Sequence, residues 1–428
     1  MINAKSTIGF IGMTHLGLNS SVAAAEKGYQ VICYDPDTEL IESLVNGNLP
    51  ISEPKLDELL KKNHKNIIFS PDLTSLQDCD LIYVAPDVST DEIGKSDLTR
   101  INYLLDLVLN AKSANQIVVI LSQVPPGFTR QKIDSGDQIY YQVETLIFGQ
   151  AIDRALYPER FIVGCFNPDQ ELPKIYQDYL SSYCCPILRM NYESAELAKI
   201  SINMFLVASV STTNTLAELC ESIGANWSEI IPALRLDRRI GEYAYLNPGL
   251  GISGGNLERD LATVIKLSEK HKTESGVVAA WQINSRYRKN WIWNAYKRMG
   301  LCQEKNLRIG VLGLSYKENT HSVKNSPALE FISKLSGCYV IAYDPLATNE
   351  GVPRYVQRAK SIKDVVIESD VLVLATAWPE FRSISIDLLN QYMPGDILID
   401  PYGLLPKNEL KSCRFKYMTL GSPMPAQI

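Results

Sequence analysis

The chain has 428 residues, enough at ~150 per domain for about three compact domains, with 46% apolar and 21% charged residues and a formal net charge of −6. This balance is that of a chain that folds throughout, and its acidic sign excludes a protein whose affinity comes from neutralising nucleic-acid phosphates or anionic lipid. The nine cysteines show no C-x-x-C pair and no His/Cys cluster at metal-ligand spacing, so reduced thiols and no metal are expected.

The N-terminal MINAKST runs directly into an apolar strand, without a basic region, a hydrophobic region or a cleavage site. No signal peptide and a cytoplasmic location are therefore expected. Short β-branched runs follow at Ile8–Ile11, Val31–Tyr34, Ile67–Phe69, Leu81–Val84, Ile117–Leu121 and Phe161–Val163, alternating with helical patterns. Alternation of this kind predicts a parallel sheet over 1–190. From Glu193 to Gly224 the periodicity is helical with no internal Pro or Gly, which predicts one long helix. Its most apolar part, Ile200–Val210, contains Ser201, Asn203 and Ser209 and falls short of ~20 residues, so no membrane span is expected. A second helical segment, Leu257–Arg298, completes a central domain over 191–300. Strand and helix then alternate again over 301–428, with strands at Ile309–Leu312, Val340–Tyr343, Val371–Leu374 and Ile397–Ile399. The fold expected is α/β: two doubly wound parallel-sheet domains of Rossmann type joined by a long-helix domain.

Both halves carry a strand, a Gly-containing turn, a helix and a strand ending in Tyr-Asp-Pro, at Ile8–Pro36 and Ile309–Pro345. The first turn holds Gly9, Gly12, Thr14 and Gly17, where a dinucleotide fold wants Gly-x-Gly-x-x-Gly. Thr14 stands at the middle glycine, whose lack of a side chain normally lets the backbone approach a pyrophosphate, so its β-carbon and hydroxyl crowd that path. Asp35 ends the next strand at the distance expected for binding the two hydroxyls of an adenosine ribose, which favours NAD over NADP; alternatively it caps the Pro36 turn.

Four further segments resemble the nucleotide-sugar 6-dehydrogenases of the UDP-glucose/GDP-mannose dehydrogenase family. They are Ile51–Leu60 (ISEPKLDELL), the Lys199…Asn203 pair in the long helix, the arginine loop Asp237–Gly241, and Val311–Thr320 with Ser326–Pro327 and Thr376–Arg382. The resemblance implies NAD on the first sheet, a UDP-sugar held against the last, a homodimer built on the central helix, and oxidation of a sugar CH2OH to a carboxylate with NAD used twice. By the same resemblance Lys199 and Asn203 hold the alkoxide, and Asp260 with a water accepts its proton. Glu144 matches the first glutamate of the family's P-E-F-L-R-E segment. Arg239 of the arginine loop, Gly254, Gly255, Lys317 and Lys324 are the substrate-binding candidates.

The family's G-F-G-G-S-C-F-P-K-D loop reads Gly251-Ile-Ser-Gly-Gly-Asn256-Leu-Glu-Arg259-Asp260 in this chain, so Asn256 holds the position of the nucleophilic cysteine. An amide cannot trap the aldehyde as a thiohemiacetal. The second glutamate of P-E-F-L-R-E is Phe148, a threonine of the S-T-V-P turn is Gln123, and the family's T-P turn is Pro86-Asp87. The expected function is an NAD-dependent nucleotide-sugar oxidoreductase that does not reach the uronic acid. The alternatives are a nucleotide-sugar-binding protein without turnover, a redox-neutral epimerase-like enzyme, or a full dehydrogenase whose nucleophile is another thiol, with Cys165 the nearest in sequence to Glu144.

Overall fold

A computed structural model describes residues 6–423 apart from 92–95, 134–136, 253–255, 305, 336, 350 and 411, and apart from the Lys407 side chain. The chain forms two compact units, Met1–Ile202 and Asn203–Ile428.

The first unit is built on eight strands: β1 (Thr7–Ile11), β2 (Gln30–Tyr34), β3 (Ile67–Ser70), β4 (Leu81–Val84), β5 (Ile117–Ile120), β6 (Ile139–Gln142), β7 (Phe161–Cys165) and β8 (Ile187–Asn191). Their order is β3-β2-β1-β4-β5-β6-β7-β8, parallel except between β6 and β7. Successive side chains on a strand face opposite ways, so one apolar run feeds two cores. Ile8 and Phe10 of β1 join Val31, Cys33, Leu81 and Tyr83 on one face, while Ile11 joins Ile32, Tyr34, Ile82 and Val84 on the other. The helix His15–Glu26 covers the first face through Leu18, Val22 and Ala23, and the helix Thr99–Ala111 covers the second through Leu104, Leu105 and Val108. Strand order reverses at β1, between β2 and β4, which opens a crevice at the carboxyl ends of the strands.

The second unit repeats the scheme with β9 (Arg308–Leu312), β10 (Tyr339–Tyr343), β11 (Gln357–Arg358), β12 (Val371–Leu374), β13 (Ile397–Ile399) and β14 (Lys416–Met418), all parallel in the order β11-β10-β9-β12-β13-β14. Strands β6, β8, β11 and β14 are additions to the sequence reading. Each lies near a sheet edge or at the antiparallel step, and β11 and β14 have only 2 and 3 residues, too short for a visible period.

The long helix runs Tyr192–Ile223, 32 residues. It exceeds the apolar stretch read from the sequence and is long and apolar enough, by length and composition alone, to cross a bilayer. Its buried polar side chains are nonetheless bonded to protein. Glu196 accepts the Gly127 and Thr129 N–H groups at 2.5 and 2.8 Å, and Glu221 accepts the Gly421 N–H at 3.0 Å. The helix also presents Phe205 at 78% and Ile223 at 66% exposure. After it come Trp227–Leu236, Asn256–His271, Gly276–Lys289 and Trp291–Arg298 in place of the single following segment expected. Pro232 inside the first of these obscures its pattern.

Candidate functional site

The turn after β1 is fixed by glycine at two points. Gly12 has φ +90°, and a β-carbon there would lie 2.8 Å from the Pro86 nitrogen; one on Gly17 would lie 2.0 Å from the Gly12 carbonyl oxygen. Gly9 is different: it sits inside β1, where a β-carbon would meet Cys79 and Leu76 at 3.0 Å, so its role is packing. Thr14 precedes the helix in extended conformation, and its hydroxyl accepts the Asp87 N–H at 2.8 Å. Asp87 in turn accepts the His15 N–H on Oδ2 at 2.9 Å. A carboxylate thus occupies the first donor of the helix, where unpaired N–H groups and the helix dipole favour an anion.

His15 itself is buried. Its Nε2 lies 3.0 Å from Glu53 Oε2, its ring stacks on Phe148 with centroids 4.0 Å apart, and Glu53 Oε1 accepts the Ala151 N–H at 2.8 Å. Phe148 therefore packs on an imidazole, and nothing in its ring can order a water.

Asp35 is fully buried. It accepts the N–H groups of Met13 at 2.8 Å and Asp37 at 3.2 Å, and Arg100 reaches its Oδ2 at 2.7 Å. The second unit reproduces this: Asp344, at the end of β10, accepts the N–H groups of Leu314, Ser315, Leu346 and Ala347 at 2.7 to 3.0 Å. Gly12 and Gly313 likewise both donate to the tyrosine before the aspartate, at 3.0 and 2.8 Å. The repeated Tyr-Asp-Pro is thus a device that ties the glycine turn to the neighbouring strand. For Asp35 the turn-capping alternative is present in the structure, whatever ligand it also serves.

On the long helix, Lys199 Nζ pairs with Glu144 Oε2 at 3.2 Å, both groups largely buried. Glu144 borders a cavity of ≈ 50 Å³ that Tyr83, Gln142 and Tyr179 also line, room for a few waters. One helical turn on, Asn203 Nδ2 donates to Asp260 Oδ2 at 2.5 Å, and Arg259 Nε reaches Asp260 Oδ1 at 3.3 Å. Asp260 is 1% exposed. Both its oxygens are engaged, which orients the carboxyl group as an acceptor and leaves it no open side as a base. Asn256 begins the helix Asn256–His271 and is exposed.

Arg239 is exposed, with its guanidinium laid on Asp237 at 2.6 and 3.0 Å. Lys317 lies half-buried with its ammonium 5.8 Å from the Tyr316 ring centre, and Lys324 is exposed. Gly254 and Gly255 lie outside the described residues. Cys165 is 2% exposed, and burial pushes its thiol up to about 11, far from the thiolate a nucleophile needs. No group of His, Cys, Asp and Glu able to hold a metal is present among the described residues.

Models of three domains match in order: the UDP-glucose/GDP-mannose dehydrogenase family's NAD binding domain at residues 6–180, its central domain at 193–286 and its UDP binding domain at 310–407. The chain belongs to this family. It is 29% identical over 434 residues to the UDP-glucose 6-dehydrogenase TuaD of Bacillus subtilis, covering 97% of this chain and 93% of that one. It is similarly 29% identical to the UDP-glucose 6-dehydrogenase of Rickettsia prowazekii, over 97% and 99% of the two chains. Its fold is that of a UDP-glucose dehydrogenase from Pyrobaculum islandicum (TM-score 0.83, 22% identity, 99% of both chains). A UDP-D-ManNAc dehydrogenase from Pyrococcus horikoshii is comparable (TM-score 0.81, 23% identity, 97% and 99% covered). The relatives are dehydrogenases, and the chain is a dehydrogenase-type oxidoreductase with an NAD-binding domain.

The sequence reading missed His15, Glu53, Arg100 and Asp87 as parts of this site. Glu53 and Asp87 stood inside segments quoted for the resemblance, but their partners lie 38 and 72 positions away, beyond any local pattern.

Proposed function

We propose that this protein binds a nucleotide sugar and performs at most one reversible two-electron exchange at the sugar, without proceeding to the uronic acid. The observation that carries this reading is the largely buried Lys199–Glu144 pair at 3.2 Å, with Asn203 at i+4 from Lys199 on the same helix. An ammonium and an amide donor at i and i+4 suit a developing alkoxide, and Glu144 beside a water-sized cavity suits its proton. The position of the family's nucleophilic cysteine is read as Asn256, so the chain has alkoxide-holding groups and lacks a trap for the aldehyde. Residues 1–190, 191–300 and 301–428 are assigned to NAD, to dimerisation and to the UDP-sugar.

NAD fits the backbone frame: Gly12 and Gly17 let the turn after β1 close tightly against Pro86 and the Gly12 carbonyl, and Asp35 directly follows β2. Gly12, Gly17, the N-terminal turn of the first helix and Asp35 would hold it, and when bound it supplies the hydride acceptor. Binding without turnover is the second reading, favoured by the Asp87 carboxylate on that same helix terminus.

Two expectations test the assignment. UDP or a UDP-sugar at about 100 times its Kd stabilises the fold by ~2.7 kcal/mol, and Lys317→Ala removes most of that gain. The absence of a melting shift with any uridine or guanosine diphosphate sugar at millimolar concentration would rule the substrate class out. The exposed apolar residues of the long helix, Phe205 foremost, together with Arg239, are assigned to a homodimer interface. Light scattering at micromolar protein should give a dimer for the natural chain and a monomer for Phe205→Glu; a monomeric natural chain would contradict it.

A further inference from the structure

A pyrophosphate in this class of sheet is held by the free N–H groups at the start of the first helix, with a glycine allowing close backbone approach. In this chain the helix begins at His15, and the Leu18 N–H is already turned back onto the Thr14 carbonyl at 3.0 Å. The donor that heads the helix, His15 N–H, points into Asp87 Oδ2 at 2.9 Å. The reverse contact closes the loop, because the Asp87 N–H donates to Thr14 Oγ1 at 2.8 Å. Each residue's side chain thus serves the other's backbone, and the turn after β4 is fastened across the mouth of the phosphate cradle. Ser122 Oγ donates to the Pro86 carbonyl at 2.5 Å and holds the base of the same turn.

We propose that Asp87 is an internal occupant of the dinucleotide cradle, and that NAD binds this protein only by displacing its carboxylate from the His15 N–H, so that Asp87 sets the affinity for the cofactor. This rests on the reading that the first sheet binds NAD. The carboxylate takes both the hydrogen bond and the charge position that the pyrophosphate needs, and two anions cannot share one helix terminus. Displacement remains open, because Asp87 is exposed and a side-chain rotation frees the donor. Thr14 acts differently: its β-carbon belongs to the wall of the cradle and does not rotate away. The chain therefore carries two coupled obstacles at one site, one electrostatic and mobile, one steric and fixed.

Calorimetric titration of the whole protein with NAD, ADP and UDP tests this. Asp87→Ala is expected to bind NAD and ADP about tenfold more tightly than the natural chain, a change of ~1.4 kcal/mol that lies within the range of a partly buried charge at a helix terminus. Asp87→Asn, which keeps an acceptor for His15 N–H and loses the charge, should gain less. UDP affinity should not change in either. Thr14→Gly should also tighten NAD, and with Asp87→Ala the gains should not add, because the two residues touch. Equal NAD affinity in the natural chain and Asp87→Ala would overturn the proposal while leaving NAD binding established. Weaker binding in Asp87→Ala would overturn it too and make Asp87 a support of the cradle. If none of the variants binds NAD or ADP, the proposal and the cofactor reading fail together.

Discussion

Asn256→Cys, given a UDP-hexose and NAD, is expected to accumulate at most a sugar adduct on the new thiol and to release no uronate. The new side chain would be well placed to react, since position 256 is exposed and heads the helix Asn256–His271, a location that lowers a thiol's pKa. Trapping the aldehyde as a thiohemiacetal is only part of acid formation; a second hydride must then leave to NAD to give a thioester, and a placed water must cleave that thioester. Phe148, at one polar position of the family pattern, is stacked on His15. Asp260, the acid nearest in sequence, has both oxygens engaged by Asn203 and Arg259. Each missing polar contact to a developing charge costs ~10²–10³ in rate, and with Phe148 and Gln123 at two positions that are polar in the family's pattern, release falls to background or below. Intact-protein mass and product chromatography on one sample would show the adduct without the acid. Rapid uronate release by this single variant would mean the water site is intact after all.

Asp344→Ala should lower the stability of the second unit by about 3–5 kcal/mol, a melting shift of roughly 10 °C. The carboxylate accepts N–H groups from Leu314, Ser315, Leu346 and Ala347, the Ser315 hydroxyl at 3.1 Å and the Trp378 indole at 3.2 Å. Removing it orphans buried backbone donors, each costing ~1–3 kcal/mol. Burial works to raise the Asp344 pKa, but the Ser315, Leu314, Ala347 and Leu346 N–H groups outweigh it and hold the carboxyl below its ordinary value. A carboxylate with a lowered folded pKa stabilises fully above the unfolded pKa of ~3.9, and this contribution is lost as pH falls through the folded value. Denaturant unfolding from pH 7 down to pH 3 should show a shallower acid loss for Asp344→Ala than for the natural chain. An unchanged melting temperature, or parallel pH curves, would contradict the role assigned to this aspartate.

Much of the fold was legible because its strands are continuous apolar runs buried on both faces, and because the Tyr-Asp-Pro unit occurs twice. The short edge strands β11 and β14 were not, having too few residues to show a period. At the site, the segment containing Lys199 and Asn203 was legible from its helical spacing, and Gly12 and Gly17 from their turn. The partners were not: that Glu144 meets Lys199, that Arg100 covers Asp35 and that Asp87 reaches the first helix all depend on contacts 55 to 72 positions apart. Sequence does register Asp87 as a departure in the turn after β4, without saying where its carboxylate goes. For Asp35, the two uses weighed from the sequence are physically compatible in part, since the oxygens that cap the turn are also those a ribose would need, and the structure displays the capping.

The reading of this chain as a family member that stops short of the acid is tested most directly by the stoichiometry of reduction. The natural protein, incubated with NAD and in turn with UDP-glucose, UDP-N-acetylhexosamines and GDP-mannose, should release no uronate and should never exceed one NADH per sugar consumed. Formation of a uronic acid with two NADH per sugar would contradict it.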